Sequence, residues 1–390
     1  MTIVVLLIAL GFAIGMTPLV RQLALRINFV AAPKKDRLHT VATPLMGGVA
    51  LYIALTGALL LLALILAISD SSDLDNTFTL TELFAVMLCG TFLAAIGLWD
   101  DWNDLNSKVK LALQFIPVVA LTAATDIQMG LPVGEVFNIG LTVCWYLYVI
   151  NAFNYTDNMD GISGMIATVA GMFFTVIALM NDQVLLGALA AALAGTSFGF
   201  LRYNLFVSEQ KIFMGDVGTM FLGFLLATIG LMLSFPAESP WVTWPVPVLV
   251  LGVPIFDTAM VFISRWRRGV SFLQGGTDHL SHRFGRLAFG RYGVPFAIGL
   301  MGSALGCLAI IVMSSDLENS LAAQALAGGC GLYMLYWLEF RVPYEFITGK
   351  PKPEDVKPAD PVAAVSFNRT EAETHPAKPQ DTIEIKIEHQ

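Results

Sequence analysis

What most constrains this chain is its division into apolar runs long enough to cross a bilayer, with the charges between the runs sorted by sign. A hydrocarbon core of about 30 Å takes roughly 20 apolar residues as a helix. On that scale the sequence predicts eleven spans, near residues 3–25, 45–68, 82–98, 110–125, 137–153, 161–180, 184–201, 213–234, 243–264, 293–313 and 321–340. The third to fifth are short or end directly in Asp and Asn. Composition agrees: 56% of residues are apolar and 13% charged, about half the charge of a soluble chain. A large soluble enzyme, a largely disordered chain, a collagen-like repeat and a disulfide scaffold are excluded. The expected fold is an all-α polytopic membrane protein.

Numbering the connections alternately places all 22 Lys and Arg on one side, in the odd-numbered connections or at helix ends beside them. Lys34, Lys35, Arg37, Lys108, Lys110, Arg202, Lys211 and the run from Arg265 to Arg291 fall there, whereas Asp70, Asp73, Asp75, Asp126, Glu135, Asp182, Glu238, Asp316 and Glu318 fall opposite. The positive-inside rule then predicts an outside N-terminus and a cytoplasmic C-terminus. The first span lacks a basic n-region and a small-residue cleavage site, so it is expected to be retained. A transmembrane domain is expected over 1–341. Residues 342–390, rich in Pro, Lys, Glu and Asp, read as a disordered cytoplasmic tail. The four cysteines sit in apolar runs without metal spacing and are expected to be buried, inert thiols.

Polar residues that are more than loop filler gather in the odd-numbered connections. Asp100 and Asp101 close the third span, and adjacent carboxylates repel unless a cation or proton intervenes, which suggests a Mg²⁺ or base site. A solvated loop with Asp104 as a helix cap is the alternative. In the next connection Asn151, Asn154 and Asn158 share one face if the segment is helical, with Asp157 beside them. Such a face is costly toward lipid. Asp160-Gly161 reads equally well as a turn. Asp216 lies between glycines at the start of an apolar helix, where free N–H groups suit a phosphate or a metal-held carboxylate; a simple N-cap is the alternative. Asp257 precedes Arg265, Arg267 and Arg268 and then Gly275-Gly276-Thr277-Asp278-His279-Leu280-Ser281-His282-Arg283. Arg and His beside glycines fit an anionic phosphate better than the His279/His282 pair fits zinc.

Four acidic or amide clusters and two basic ones on a single face are explained economically by one cytoplasmic active site. Hard oxygens suit Mg²⁺, and Mg²⁺ with Lys and Arg is a usual way to hold a diphosphate. A site at the lipid boundary invites a lipid-borne substrate. A transporter would need a polar path, but the outer halves of the spans are apolar. A noncatalytic scaffold would be expected to lose carboxylates, but Asp100, Asp101, Asp157 and Asp216 are all present.

Together these residues resemble the polyprenyl-phosphate N-acetylhexosamine-1-phosphate transferases, glycosyl transferase family 4. The likeness runs from about residue 28 to 284. It is carried by Arg37, His39 and Pro44 to Gly48; Asp100-Asp101 with Asp104 and Lys110 to Gln114; Asn154 to Gly161; Asn204; Met214 to Thr219; Pro254 to Thr258; and Asp278 to Arg283. The resemblance implies transfer of an N-acetylhexosamine 1-phosphate, N-acetylglucosamine above all, from a UDP-sugar to undecaprenyl phosphate, releasing UMP and starting a cell-envelope glycan. It implies Mg²⁺, or Mn²⁺ in its place, and an active site on the cytoplasmic face of the inner (plasma) membrane. Membrane lipid is an expected partner, nucleic acid is not, and a homodimer stays open. By resemblance, Asp216 and Asn154 hold the metal, Asp100 or Asp101 positions or deprotonates the lipid phosphate, and Lys110 neutralises it. Asp157, Asp160, Asn204, Asp257, Asp278, His279, His282 and Arg283 complete the implied substrate set.

The chain departs from the family pattern in three places. Ala31-Ala32-Pro33 and Asp36-Arg37 stand where the family has Asp-x-Pro followed by Arg-Lys. Asn158 replaces a glycine, and His279-Leu280-Ser281-His282 lacks the middle histidine of His-x-His-His. The triple-histidine segment of the muramoyl-pentapeptide branch is absent, which favours a UDP-N-acetylglucosamine or related donor.

Overall fold

The computed structural model describes residues 1–31, 43–68, 80–235, 240–272, 276–287 and 289–342. Expectations on Lys34 to His39, on Asp70 to Asp75, on Glu238, on Gly275 and on the tail fall outside them. The chain forms α1 (Thr2–Arg26), α2 (Gly47–Ile68), α3 (Leu80–Asn103), α4 (Ser107–Ala124), α5 (Glu135–Thr156), α6 (Ile162–Met180), α7 (Val184–Leu201) and α8 (Gly215–Met232). It continues through α9 (Pro240–Thr243), α10 (Pro245–Val250), α11 (Gly252–Arg268), α12 (Leu280–Arg286), α13 (Gly293–Met313) and α14 (Leu317–Phe340). Strands β1 (Val30–Ala31) and β2 (Thr43–Pro44) pair antiparallel, Val30 against Pro44. Among the described residues ten helices are long and apolar enough to cross a membrane, and the protein is an all-α polytopic membrane protein.

Two expectations about the spans need correction. The ninth span, expected as one helix over 243–264, is broken into α9, α10 and α11. Pro245 and Pro247 supply no backbone N–H to a preceding turn, so a continuous helix through them would leave carbonyls unpaired. The third span does not end at 98: α3 runs on through Asp100 and Asp101 to Asn103, so both carboxylates stand on a helix. The cysteines also differ from expectation, since Cys144, Cys307 and Cys330 are exposed on helix surfaces and Cys89 is only half-buried. Apolar neighbours in sequence do not distinguish a lipid-facing side chain from a core one.

α7 and α8 form the interior, with 83% of each apolar window buried, and α2, α3 and α5 pack on α8. Close approaches cluster at glycines at one end of α8. A Cβ on Gly48 would lie 2.0 Å from the Gly218 nitrogen, and one on Gly97 would lie 2.5 Å from the Asp216 carbonyl oxygen. Gly47 and Gly48 N–H also donate to the Phe213 and Met214 carbonyls at 2.9 and 2.7 Å. Only residues without a side chain allow α2 and α3 to reach the first turn of α8. Asp216 is thereby fixed against the helix that carries Asp100 and Asp101.

Candidate active site

The polar residues that lipid would reject meet at one lysine. Lys110, on the first turn of α4, directs its ammonium at Asp100 Oδ2 of α3 (2.9 Å), at Asp216 Oδ2 of α8 and at Asn154 Oδ1 of α5 (3.3 Å). Asn154 Nδ2 donates to Asp216 Oδ1 at 2.9 Å and to Thr219 Oγ1 at 2.7 Å. One helical turn from Lys110, Gln114 accepts from Asn151 Nδ2 at 2.7 Å, which ties α4 to α5 a second time. Three oxygen acceptors from three helices therefore point at a single cation, and Lys110 and Asp100 are largely buried while doing so. Such pairing is strong where water is scarce.

Asp101 faces elsewhere. Its Oδ1 and Oδ2 accept the N–H groups of Asp216 (3.0 Å) and Val217 (3.3 Å), so it caps the start of α8 from another helix. Gly215 takes φ +70°, and a Cβ there would lie 2.5 Å from Asp101 Oδ2. Asp104 does not cap α4; it has φ 51°, and the cap is Asn106, whose side chain accepts from Lys108 N–H. Asp100 Oδ1 meanwhile accepts from Leu105 N–H at 2.8 Å.

The turn after α5 is built by backbone contacts. Asp157 ends the helix, its N–H donating to the Asn154 carbonyl at 3.3 Å. Gly161 takes φ +79° and donates to Asn204 Oδ1 at 2.6 Å, while Asn204 Nδ2 donates to the Ile212 carbonyl at 3.0 Å. Buried Asn204 thus holds two backbone segments together. Asp160 pairs with Lys211 at 2.6 Å and lies 3.8 Å from Arg291.

The last cluster lies between α11, α12 and α14. Asp257 is buried; its Oδ2 meets His279 Nδ1 at 2.8 Å and its Oδ1 accepts Leu280 N–H at 2.6 Å. Asp278 is gripped by Arg265 through two 2.9 Å hydrogen bonds and by Arg268 at 3.3 Å. Burial alone would raise the Asp278 carboxyl; the Arg265 hydrogen bonds and charge outweigh it and hold the group below the usual carboxylate range. Arg283 is fully buried and donates to the carbonyls of Asp278 (3.0 Å) and Leu338 (2.7 Å), to Ser264 Oγ (3.0 Å) and to Glu339 Oε2 (2.9 Å). Burial, with the charges of His279 and Arg286, pushes His282 down to about 4 and keeps it neutral near pH 7.

The structure therefore brings Asp100, Lys110, Asn154 and Asp216 into direct contact and sets Asp257 with His279. It turns Asp101, Asn204, Asp278 and Arg283 toward other protein groups. Thr219, Gln114, Ser264, Arg265 and Glu339 take part beside the residues that the resemblance assigns to metal and substrate. Glu339 carried a signal, being a carboxylate at the end of an apolar run.

The sequence profile of glycosyl transferase family 4 matches residues 83–234, the stretch that supplies Asp100, Lys110, Asn154 and Asp216. A decaprenyl-phosphate N-acetylglucosaminephosphotransferase of Mycolicibacterium smegmatis is 32% identical over 297 residues, covering 68% of this chain and 70% of the relative. The chain belongs to this family. Other members are similar across much of its length. A probable undecaprenyl-phosphate N-acetylglucosaminyl 1-phosphate transferase of Bacillus subtilis is 28% identical over 331 residues, 82% of this chain and 87% of that protein. A phospho-N-acetylmuramoyl-pentapeptide-transferase of Clostridium botulinum is 30% identical over 273 residues, 65% of this chain and 79% of that protein. The family makes the protein a membrane-embedded phospho-sugar transferase.

Proposed function

We propose that the protein transfers N-acetylhexosamine 1-phosphate, with N-acetylglucosamine the leading sugar, from a UDP-sugar to undecaprenyl phosphate at the cytoplasmic face of the inner membrane. The observation that carries this reading is the convergence of Asp100, Asp216 and Asn154 Oδ1 on the Lys110 ammonium. A lipid phosphate oxygen attacks the sugar-bearing phosphorus, the bond from that phosphorus to the UMP oxygen breaks, and UMP leaves. This displacement needs alignment and charge neutralisation, with no covalent enzyme intermediate. Lys110 meets the charge of the acceptor phosphate, and Asp100, already hydrogen-bonded to it, orients that pair. His279, fixed by Asp257, and neutral His282 face the donor.

The donor set fits Mg²⁺. Asp216 and Asn154 carry hard oxygens that here meet the Lys110 ammonium; with Lys110 turned to the acceptor phosphate these oxygens would hold Mg²⁺, which takes one or two carboxylates plus waters and substrate phosphates rather than an all-protein cage. Bound there, the ion would neutralise the diphosphate. The basic residues on the same side of the spans support a cytoplasmic site.

The test is UMP release by purified protein given undecaprenyl phosphate, Mg²⁺ and a panel of UDP-sugars. Release should require lipid and metal, stop with EDTA, return with excess Mg²⁺, and fall at least about a hundredfold in Asp216→Asn at normal expression and folding. Full turnover in that variant would refute the metal assignment. No UMP from any donor with folded wild type would refute the reaction.

A further inference from the structure

The turn after α5 and the short helix α12 are joined by one side-chain pair. Ser281, 2% exposed on the first turn of α12, donates its hydroxyl to Asn158 Oδ1. Asn158 Nδ2 in turn donates to the Tyr155 carbonyl at 3.2 Å. The Asn158 amide therefore closes the end of α5 with one atom and receives α12 with the other. Backbone conformation does not call for asparagine here: Asn28, Asp104 and Asp182 take left-handed φ values of 57°, 51° and 59°, and Asn158 does not. What the position contributes is its side chain.

α12 is held at three points. Asp257 fixes His279 and the Leu280 N–H to α11, and Arg283 fixes the helix to Ser264 of α11 and Glu339 of α14. The Ser281 contact fixes it to the turn that carries Asp157 and Asp160. The Asn158–Ser281 contact is the side-chain link from α12 to that turn, whereas the other two points run to α11 and α14.

We propose that Asn158 and Ser281 act as one coupled positioning unit, setting α12 with His279 and His282 against the α5–α6 turn and thereby tuning which sugar donor is accepted. The role rests on the phosphotransfer reading above. Neither residue needs to touch a reacting atom.

The test is a double-mutant cycle with three readouts: melting temperature, KM and kcat for each UDP-sugar, and the selectivity ratio between donors. Ser281→Ala should raise the donor KM about fivefold with kcat nearly unchanged, the scale of one neutral hydrogen bond. Ser281→His alone should cost more than about tenfold in kcat/KM, because an imidazole is forced onto the Asn158 amide. Asn158→Gly with Ser281→His should return kcat/KM to within about threefold of wild type and shift the donor ratio, since neighbours in contact are non-additive. Additive effects in the double variant would overturn the coupling. Coupled melting temperatures with unchanged donor KM and donor ratio would overturn the positioning role and leave a merely structural contact. Wild type that releases no UMP from any donor would instead sink the phosphotransfer reading itself, and the two failures are told apart by the wild-type lane.

Discussion

Asp100 and Asp101 are adjacent in sequence and differently employed, which makes them the sharpest test at the residue scale. Asp101 gives both oxygens to the first N–H groups of α8, whereas Asp100 faces Lys110. Asp101→Ala should lose a cap, about 1–2 kcal/mol of stability, visible as a lower melting temperature. Asp100→Asn should keep the melting temperature near that of wild type while kcat drops by about a hundredfold or more. Equal losses of stability in the two variants would refute this division. The sequence marked both residues as chemistry and left their roles open, because an ionised pair at a span end signals only that something must compensate it. The partner of Asp101 lies on α8, more than a hundred residues later in the chain. Lys110, Asn154 and Asp216 were legible for the same reason that they are costly: charged and amide groups at apolar helix ends need partners. Arg283 and Asp278 were read as ligand-facing because burial is not written in a polar loop.

At the scale of elements, spans with unbroken apolar character were easy to place, and those interrupted by proline were not. Pro245 and Pro247 gave a signal in the ninth span that its hydropathy masked. Short α12 was invisible as a helix, since seven residues holding Arg283 and Arg286 look like loop charge. Its burial has a pH signature. His282 is lowered to about 4 in the folded protein by burial and by His279 and Arg286, against the opposing charges of Asp257 and Asp278. The unfolded chain therefore takes up a proton near its ordinary value of about 6.5 that the folded chain refuses until about pH 4. This contribution to stability is full above about pH 6.5 and is lost as pH falls toward 4. The melting temperature of wild type relative to His282→Gln should be constant above pH 7 and should decline steadily between pH 6.5 and 4.5. A difference that does not change with pH would show that His282 titrates normally.

For the whole molecule, the last helix poses the problem of what holds a span that buries almost nothing. Only 6% of the apolar window of α14 is covered, and in lipid there is little hydrophobic drive to bring one helix onto another. Beyond Leu338, which is fully buried, its attachment rests on its polar ends. At one end Ser320 Oγ donates to the Val242 carbonyl at 3.4 Å. At the other, Glu339 accepts from Ser264 Oγ at 2.7 Å, from Arg267 Nε at 3.0 Å and from Arg283 at 2.9 Å, and so ties α14 to the helices that present His279 and His282. Removing one partner of a buried ion pair strands the other, so Glu339→Leu should cost about 3–5 kcal/mol. Replacing both, Glu339→Leu with Arg283→Met, leaves no buried charge stranded, because Arg267 is 44% exposed and can turn to water. The double variant should then regain at least half of the lost melting temperature. Activity should follow it only in part, because α12 would be packed onto α14 without the Arg283 bonds that fix its angle. If the double variant is as unstable as the two single losses added together, the ion pair is not what fastens the last span to the active-site helices.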